Sequence, residues 1–142
     1  MKKIVLFLCK KNFVVIFLCL VFCFGCGAVK DCDEIGNDFF NSLKLRDYDK
    51  ALSLVDEEAF KYTDKEKWLQ GLEHKEENFG LPLSFKRIDF ETITQNRVTR
   101  VGIKYRVIYV GAELFEKLEF IQRDNQYKIT FYQFNSDSTL VY

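Results

Sequence analysis

VGIKYRVIYVGAELFEKLEFIQRDNQYKITFYQF, residues 101–134, holds most of the information about the fold. Val101, Ile103, Tyr105, Val107 and Tyr109 recur at every second position, the period of a strand with one buried face. Gly111-Ala112 suits a two-residue hairpin turn with glycine in the first central position, and Asp124-Asn125 tolerates the positive φ that a second such turn needs. Turns at these places pair Tyr109 with Leu114, Val107 with Glu116, Tyr105 with Leu118 and Ile103 with Phe120. They then pair Phe120 with Ile129, Leu118 with Phe131 and Glu116 with Gln133. One apolar face thus runs through three strands, an agreement that two independently placed turns need not produce.

Working toward the N-terminus, Leu83 and Phe85, then Ile88 and Phe90, follow Pro82 as a further strand, with a one-residue slip at Lys86-Arg87 that reads as a bulge. Upstream the period lengthens to that of a helix. Ile35, Phe39, Phe40 and Leu43 share one side of a helix over 33–45, and Asp47 is placed to cap a short second helix through Tyr48, Ala51, Leu52 and Val55. Thr63-Asp64-Lys65-Glu66 has the spacing of a capping box. It precedes a third helix that puts Trp68, Leu69, Leu72 and Phe79 on one face and ends at Gly80. His74 falls on the opposite, charged face, among Glu73, Lys75 and Glu77, where a metal ligand or catalytic base has no partners. Helices covering a curved antiparallel sheet of about four strands make an α+β fold. The 142 residues have room for one such domain, expected over 34–142.

The first 25 residues are of another kind. They carry Lys2, Lys3, Lys10 and Lys11, no acid, and the uncharged apolar run 13–24, the layout of a secretory signal peptide. The run is short for a membrane span, although a span over 13–29 and an ordinary cleaved leader are the alternatives. Without this leader, 17 basic side chains remain against 21 acidic ones, a net charge of −4. A mildly acidic domain with no basic block lacks the footprint of a nucleic-acid binder. At the leader's end, Cys23-Phe24-Gly25-Cys26 resembles the lipobox of bacterial lipoprotein precursors, with small Gly25 ahead of Cys26. Cys23 stands where that pattern usually has an aliphatic residue. The resemblance implies a signal peptide over 1–25, a lipidated Cys26 with a short tether over 26–33, and a domain anchored outside the cytoplasm in the cell envelope. Cys9, Cys19 and Cys23 then leave with the leader. Cys32 has no intramolecular partner and is buried if the first helix reaches back to it.

The order of helix, LRDYDKALSLV break, Trp68 helix, Gly80 and strands ending in DNQYKITFYQF resembles the nuclear-transport-factor-2-like superfamily, the cone-shaped α+β fold, over about residues 34–135. More narrowly it resembles small exported bacterial members of unassigned function. The superfamily includes isomerases, dehydratases and protein-binding modules, so the resemblance does not choose a function. It implies a pocket on the helix-covered sheet face. The expected register puts Glu116 there beside Gln133, with Tyr105 and Tyr109 nearby, and a carboxylate so placed is tuned toward neutral pH as a general base. The alternatives are a buried glutamate hydrogen-bonded to Gln133 and a position at the pocket mouth that reaches water. The outer face carries Lys104, Arg106, Lys117 and Glu119, and the register gathers Ile108, Phe115 and Phe134 at one end. That cluster is either a contact surface for a protein partner or a second copy, or a core covered by the tail 136–142. No metal-ligand cluster, catalytic triad or phosphate loop is evident, and no cofactor is expected. The expectation is a lipid-anchored module for a small apolar ligand or a protein partner, with an isomerase- or dehydratase-like enzyme using Glu116 as the alternative.

Overall fold

The computed structural model describes residues 24–141. The expected leader lies outside them except for Phe24 and Gly25, and Tyr142 lies outside as well. No helix among the described residues is long and apolar enough to cross a membrane.

Three helices precede the sheet. The first, α1 (Phe24–Lys44), buries Val29, Cys32, Phe39, Phe40 and Leu43 along one stripe. Residues 26–33, expected as a tether, are therefore part of this helix, and Cys32 is fully buried. Arg46 ends the run in the left-handed region at φ 59°. Asp47 then accepts the Lys50 N–H at 3.0 Å and caps α2 (Tyr48–Ser53), as expected. After a 3-10 turn at Ala59–Lys61 comes α3 (Lys65–Phe79). Its N-cap is Asp64, whose side chain makes no capping bond, so the expected capping box does not close. Gly80 ends it at φ 79°.

The sheet is an antiparallel meander in the order β1 (Ser84–Gln95), β2 (Val98–Ile108), β3 (Glu113–Arg123) and β4 (Gln126–Asn135). The fold class is α+β, with the helices on one sheet face. That face buries Val101, Ile103, Tyr105, Val107, Leu114, Leu118, Phe120 and Ile129. The β1 bulge falls between Arg87 and Asp89, one residue beyond the expected slip.

Two details of the register differ from the sequence reading. The β2–β3 turn centres on Val110-Gly111, with the Tyr109 N–H bonded to the Ala112 carbonyl at 2.8 Å. Partners consequently shift by two residues: Tyr105 faces Glu116, and Val107 faces Leu114. A two-residue shift preserves side-chain parity, so the buried set is unchanged. The β3–β4 turn lies at Asp124-Asn125 as expected, at φ 46° and 63°, but β4 has a bulge where the pairing jumps between Glu119 and Phe120. Thr130 is the extra residue. Beyond it parity inverts, so Tyr132 and Phe134 turn toward the helices while Phe131 and Gln133 face out. Just before the bulge, Ile129 is held from its open side, its N–H on the Leu54 carbonyl at 3.0 Å and its carbonyl on the Asp56 N–H at 2.7 Å.

Helix and sheet approach closely at Gly36, where an added Cβ would overlap the Tyr105 hydroxyl. Alanine is the better helix former by about 1 kcal/mol, but here it collides with a fully buried ring. Gly36→Ala is expected to lower stability by about 1–3 kcal/mol, read as a lower urea midpoint with an unchanged slope.

Candidate functional site

Glu116 sits in the middle of β3 on the helix-covered face and is fully buried. Above it passes α3, whose inward stripe is Trp68, Leu72, Lys75 and Phe79, at spacings of i, i+4, i+7 and i+11, with Leu72 and Lys75 buried and the two aromatic residues half-buried. A lysine in that stripe has to enter the core. Lys75 does so, leaving 4% of its surface exposed, and its Nζ lies 3.0 Å from Glu116 Oε2. The Tyr109 hydroxyl donates to Glu116 Oε1 at 2.5 Å, and the Tyr132 hydroxyl donates to Oε2. Lys75 also donates to the Tyr132 oxygen. The rings of Tyr132, Tyr109 and Phe134 surround the ammonium, with centroids 4.9, 5.3 and 5.6 Å away.

The electrostatics follow from this closure. Burial lowers the Lys75 pKa, and the charge and hydrogen bond of Glu116 oppose that shift. Burial, followed by the negative charge of Glu116, raises Tyr109 and Tyr132, so both phenols keep their protons and remain donors at neutral pH. Both carboxylate oxygens are occupied and no surface of Glu116 meets solvent. The site is an internally hydrogen-bonded polar cluster closed over by the helix.

The other candidates separate. Tyr105 faces Glu116 in the register, yet its hydroxyl donates to Asp33 Oδ1 on α1 at 3.0 Å, and Asp33 Oδ2 pairs with Arg87 at 3.2 Å. Gln133 does not meet Glu116: the Thr130 bulge turns it outward, where its Nε2 donates to the Leu140 carbonyl at 3.1 Å. The same inversion removes Phe134 from the outer face, so Ile108, Phe115 and Phe134 do not form one patch. Phe134 instead packs edge-on against Phe79 at 6.3 Å. The tail lies over the outer face at Gln133, and Val141 is fully buried. His74 is exposed, bonded to Asn78 of its own helix. Among the described residues no cluster of three or more histidine, cysteine or acidic side chains is arranged to hold a metal. Burial pushes the Cys32 thiol up to about 12, which keeps it protonated at neutral pH.

The sequence reading places Lys75 on the charged face with Glu73, His74 and Glu77, and the structure places it in the core. The available signal was its place in the stripe, three residues after Leu72 and four before Phe79. The open feature of this region lies beside the cluster. A groove of about 290 Å³ between α3 and β4 is lined by Trp68, Gly71, Leu72, Phe131, Tyr132 and Phe134.

Comparison with protein-family models gives no match for this chain, and no curated protein is significantly similar to it.

Removing one member of a buried ion pair strands the other in the core, whereas removing both leaves a nearly apolar site. Lys75→Met and Glu116→Leu are each expected to lower the unfolding free energy by about 3–5 kcal/mol. The double variant should recover a large part of the loss, short of full recovery because the Tyr109 and Tyr132 hydroxyls then lack their acceptor. Urea unfolding of the four proteins measures the coupling.

Proposed function

We propose that this chain is a bacterial lipoprotein, anchored through Cys26 to a membrane of the cell envelope, whose α+β domain works as a binding module. The observation that favours a module over an isomerase- or dehydratase-like enzyme is the state of Glu116. The one pocket-face carboxylate suited to base catalysis is fully buried and accepts hydrogen bonds on both oxygens from Lys75, Tyr109 and Tyr132. The resemblance to the nuclear-transport-factor-2-like superfamily is compatible with either role.

The groove beside Trp68 supplies the binding surface of this reading. Phe131 and Phe134 are 43% and 38% exposed at its wall, so apolar surface faces solvent in a concave setting. Its size and lining suit a small apolar ligand or an apolar side chain of a protein partner. Lys67 and Thr63 at the rim add a cation and a hydroxyl for orientation.

Two experiments test the two halves of the proposal. Cys26→Ala should leave the precursor uncleaved or release the protein from the membrane fraction; full processing with unchanged membrane retention would count against the anchor. For the groove, Gly71 is a suitable handle, since a Cβ there meets nothing within 4 Å. Gly71→Leu fills the groove and, as a glycine replacement within a helix, should hold or raise stability by about 0.5–1 kcal/mol. The chain's single tryptophan lines the groove and reports on occupancy. An anilinonaphthalene sulfonate dye should quench Trp68 by energy transfer in the native chain and fail to do so in Gly71→Leu. Equal quenching in both would remove the groove as the binding surface.

A further inference from the structure

One helix joins the anchor position to the core: α1 runs from Phe24 to Lys44, and Val29 on it is already buried. Cys26 lies three positions before Val29, about 5 Å along a helix axis. A lipid carried at Cys26 therefore has no flexible spacer, and the domain has to rest on the bilayer that holds it.

The path of α1 tells which end of the domain that is. Phe40 packs on Phe85 and Tyr105, with ring centroids 5.1 and 5.0 Å away, toward the Val110-Gly111 end of the sheet. Nearer the N-terminus, Asp31 and Glu34 line a crevice with Asn125, Gln126 and Tyr127, at the β3–β4 tip. The helix thus climbs toward the end that carries both the Asp124-Asn125 and the Asn96-Arg97 turns. These tips lie together because Arg100, Ile121 and Lys128 are cross-strand neighbours just below them.

The surface of that end is suited to a lipid headgroup layer. Ile93 and Val98 are 54% and 42% exposed. Arg97 and Arg100 are exposed and have no ion-pair partner among the described residues. A trough of about 540 Å³ opens here on the outer sheet face, walled by Ile93, Val98, Arg100 and Ile121. Its acids are already paired: Glu91 and Glu119 share the buried Lys117 at 2.7 and 2.9 Å. Its other arginine, Arg123, is bound to Asp56 and Glu58 at 3.4 and 2.5 Å. The guanidinium left free in the trough is Arg100, with Arg97 at the tip above it and exposed Asp124 on the neighbouring tip. Guanidinium groups pair with phosphate oxygens in bidentate geometry, and apolar side chains beside them enter the interfacial layer.

We propose that the β1–β2 tip, through Arg97, Arg100, Ile93 and Val98, rests on the phospholipid surface of the membrane that carries the Cys26 anchor. This rests on the lipoprotein reading above and adds an orientation to it. The test uses the full chain made in a bacterial host, purified and reconstituted into vesicles of phosphatidylethanolamine and phosphatidylglycerol. Mass analysis of its N-terminal peptide first establishes the acyl chains on Cys26; their absence would sink the lipoprotein reading and this proposal with it. Val98→Cys, labelled with an environment-sensitive fluorophore, then reports on the tip, and Val110→Cys at the opposite tip is the control. Buried Cys32 does not compete for the label. With acylated protein, the fluorophore at 98 should be blue-shifted and quenched by brominated phospholipid, while that at 110 is not. Arg97→Glu combined with Arg100→Glu should reduce the quenching at 98 to about half or less. Acylated protein with no quenching at 98 would overturn the proposal and leave the anchor intact. A blue shift at 98 without quenching would mean that a protein or a second copy covers this end, which also overturns it.

Discussion

The contact between Lys75 and Glu116 ties together parts of the chain that share no local signal. A glutamate on the helix-covered face of the sheet is tolerable only if a cation and hydrogen-bond donors reach it, and a lysine inside a helix stripe only if an anion meets it. The two are 41 residues apart, and the tyrosines that complete the cluster are 7 and 16 residues from Glu116. Forming it requires α3 to lie across β3 at one height, and β4 to present Tyr132 inward. A buried pair of this kind adds little net stability compared with an apolar core, but it penalises every arrangement in which one partner is stranded. In this domain it selects one seat for α3 on the sheet.

That requirement gives the Thr130 bulge its physical sense. Without the extra residue, β4 would continue in phase from Ile129 and point Phe131 and Gln133 at the helices, leaving Glu116 beside an amide. With it, a phenol donates to the carboxylate, and Phe134 closes the aromatic wall around the ammonium. The bulge is anchored by what precedes it, since the backbone of Ile129 is held on its open side by Leu54 and Asp56. A strand so held on both sides up to Ile129 takes up the extra residue at the next position, where the outer hold ends.

The helices, the four strands and the buried face were legible because each is written as a period repeated several times. Parity survives a two-residue register shift, so placing the first hairpin turn one residue late left every inward side chain correct. The site was less legible, for two separate reasons. Residues 129–134 read Ile-Thr-Phe-Tyr-Gln-Phe, with apolar or aromatic groups at both parities, so alternation alone cannot locate a bulge there. Lys75 stands in a run of charged residues, and the local composition outweighed its position in the stripe. Glu116 was recognisable as an inward acid; its partner was not, because the pairing depends on how α3 crosses the sheet.

The continuity of α1 also constrains what a lipid-anchored module of this shape can contact. A tethered domain samples all orientations, whereas the lipoprotein proposed above would begin its core three positions after the anchor and present a fixed set of surfaces. In the proposed orientation, with the hairpin tips against the bilayer, the Val110-Gly111 turn would point away from it. The groove beside Trp68 lies at the height of Tyr132, which pairs with Leu118 and so stands level with Ile103. That is some six residues along β2 from the Asn96-Arg97 tip, about 20 Å at the rise of a β-strand. At such a height the groove clears the headgroup layer and opens sideways at the β4 edge. A partner approaching along the membrane would meet it there without displacing lipid, and Tyr132 in the wall of that groove is held from behind by Lys75 and Glu116.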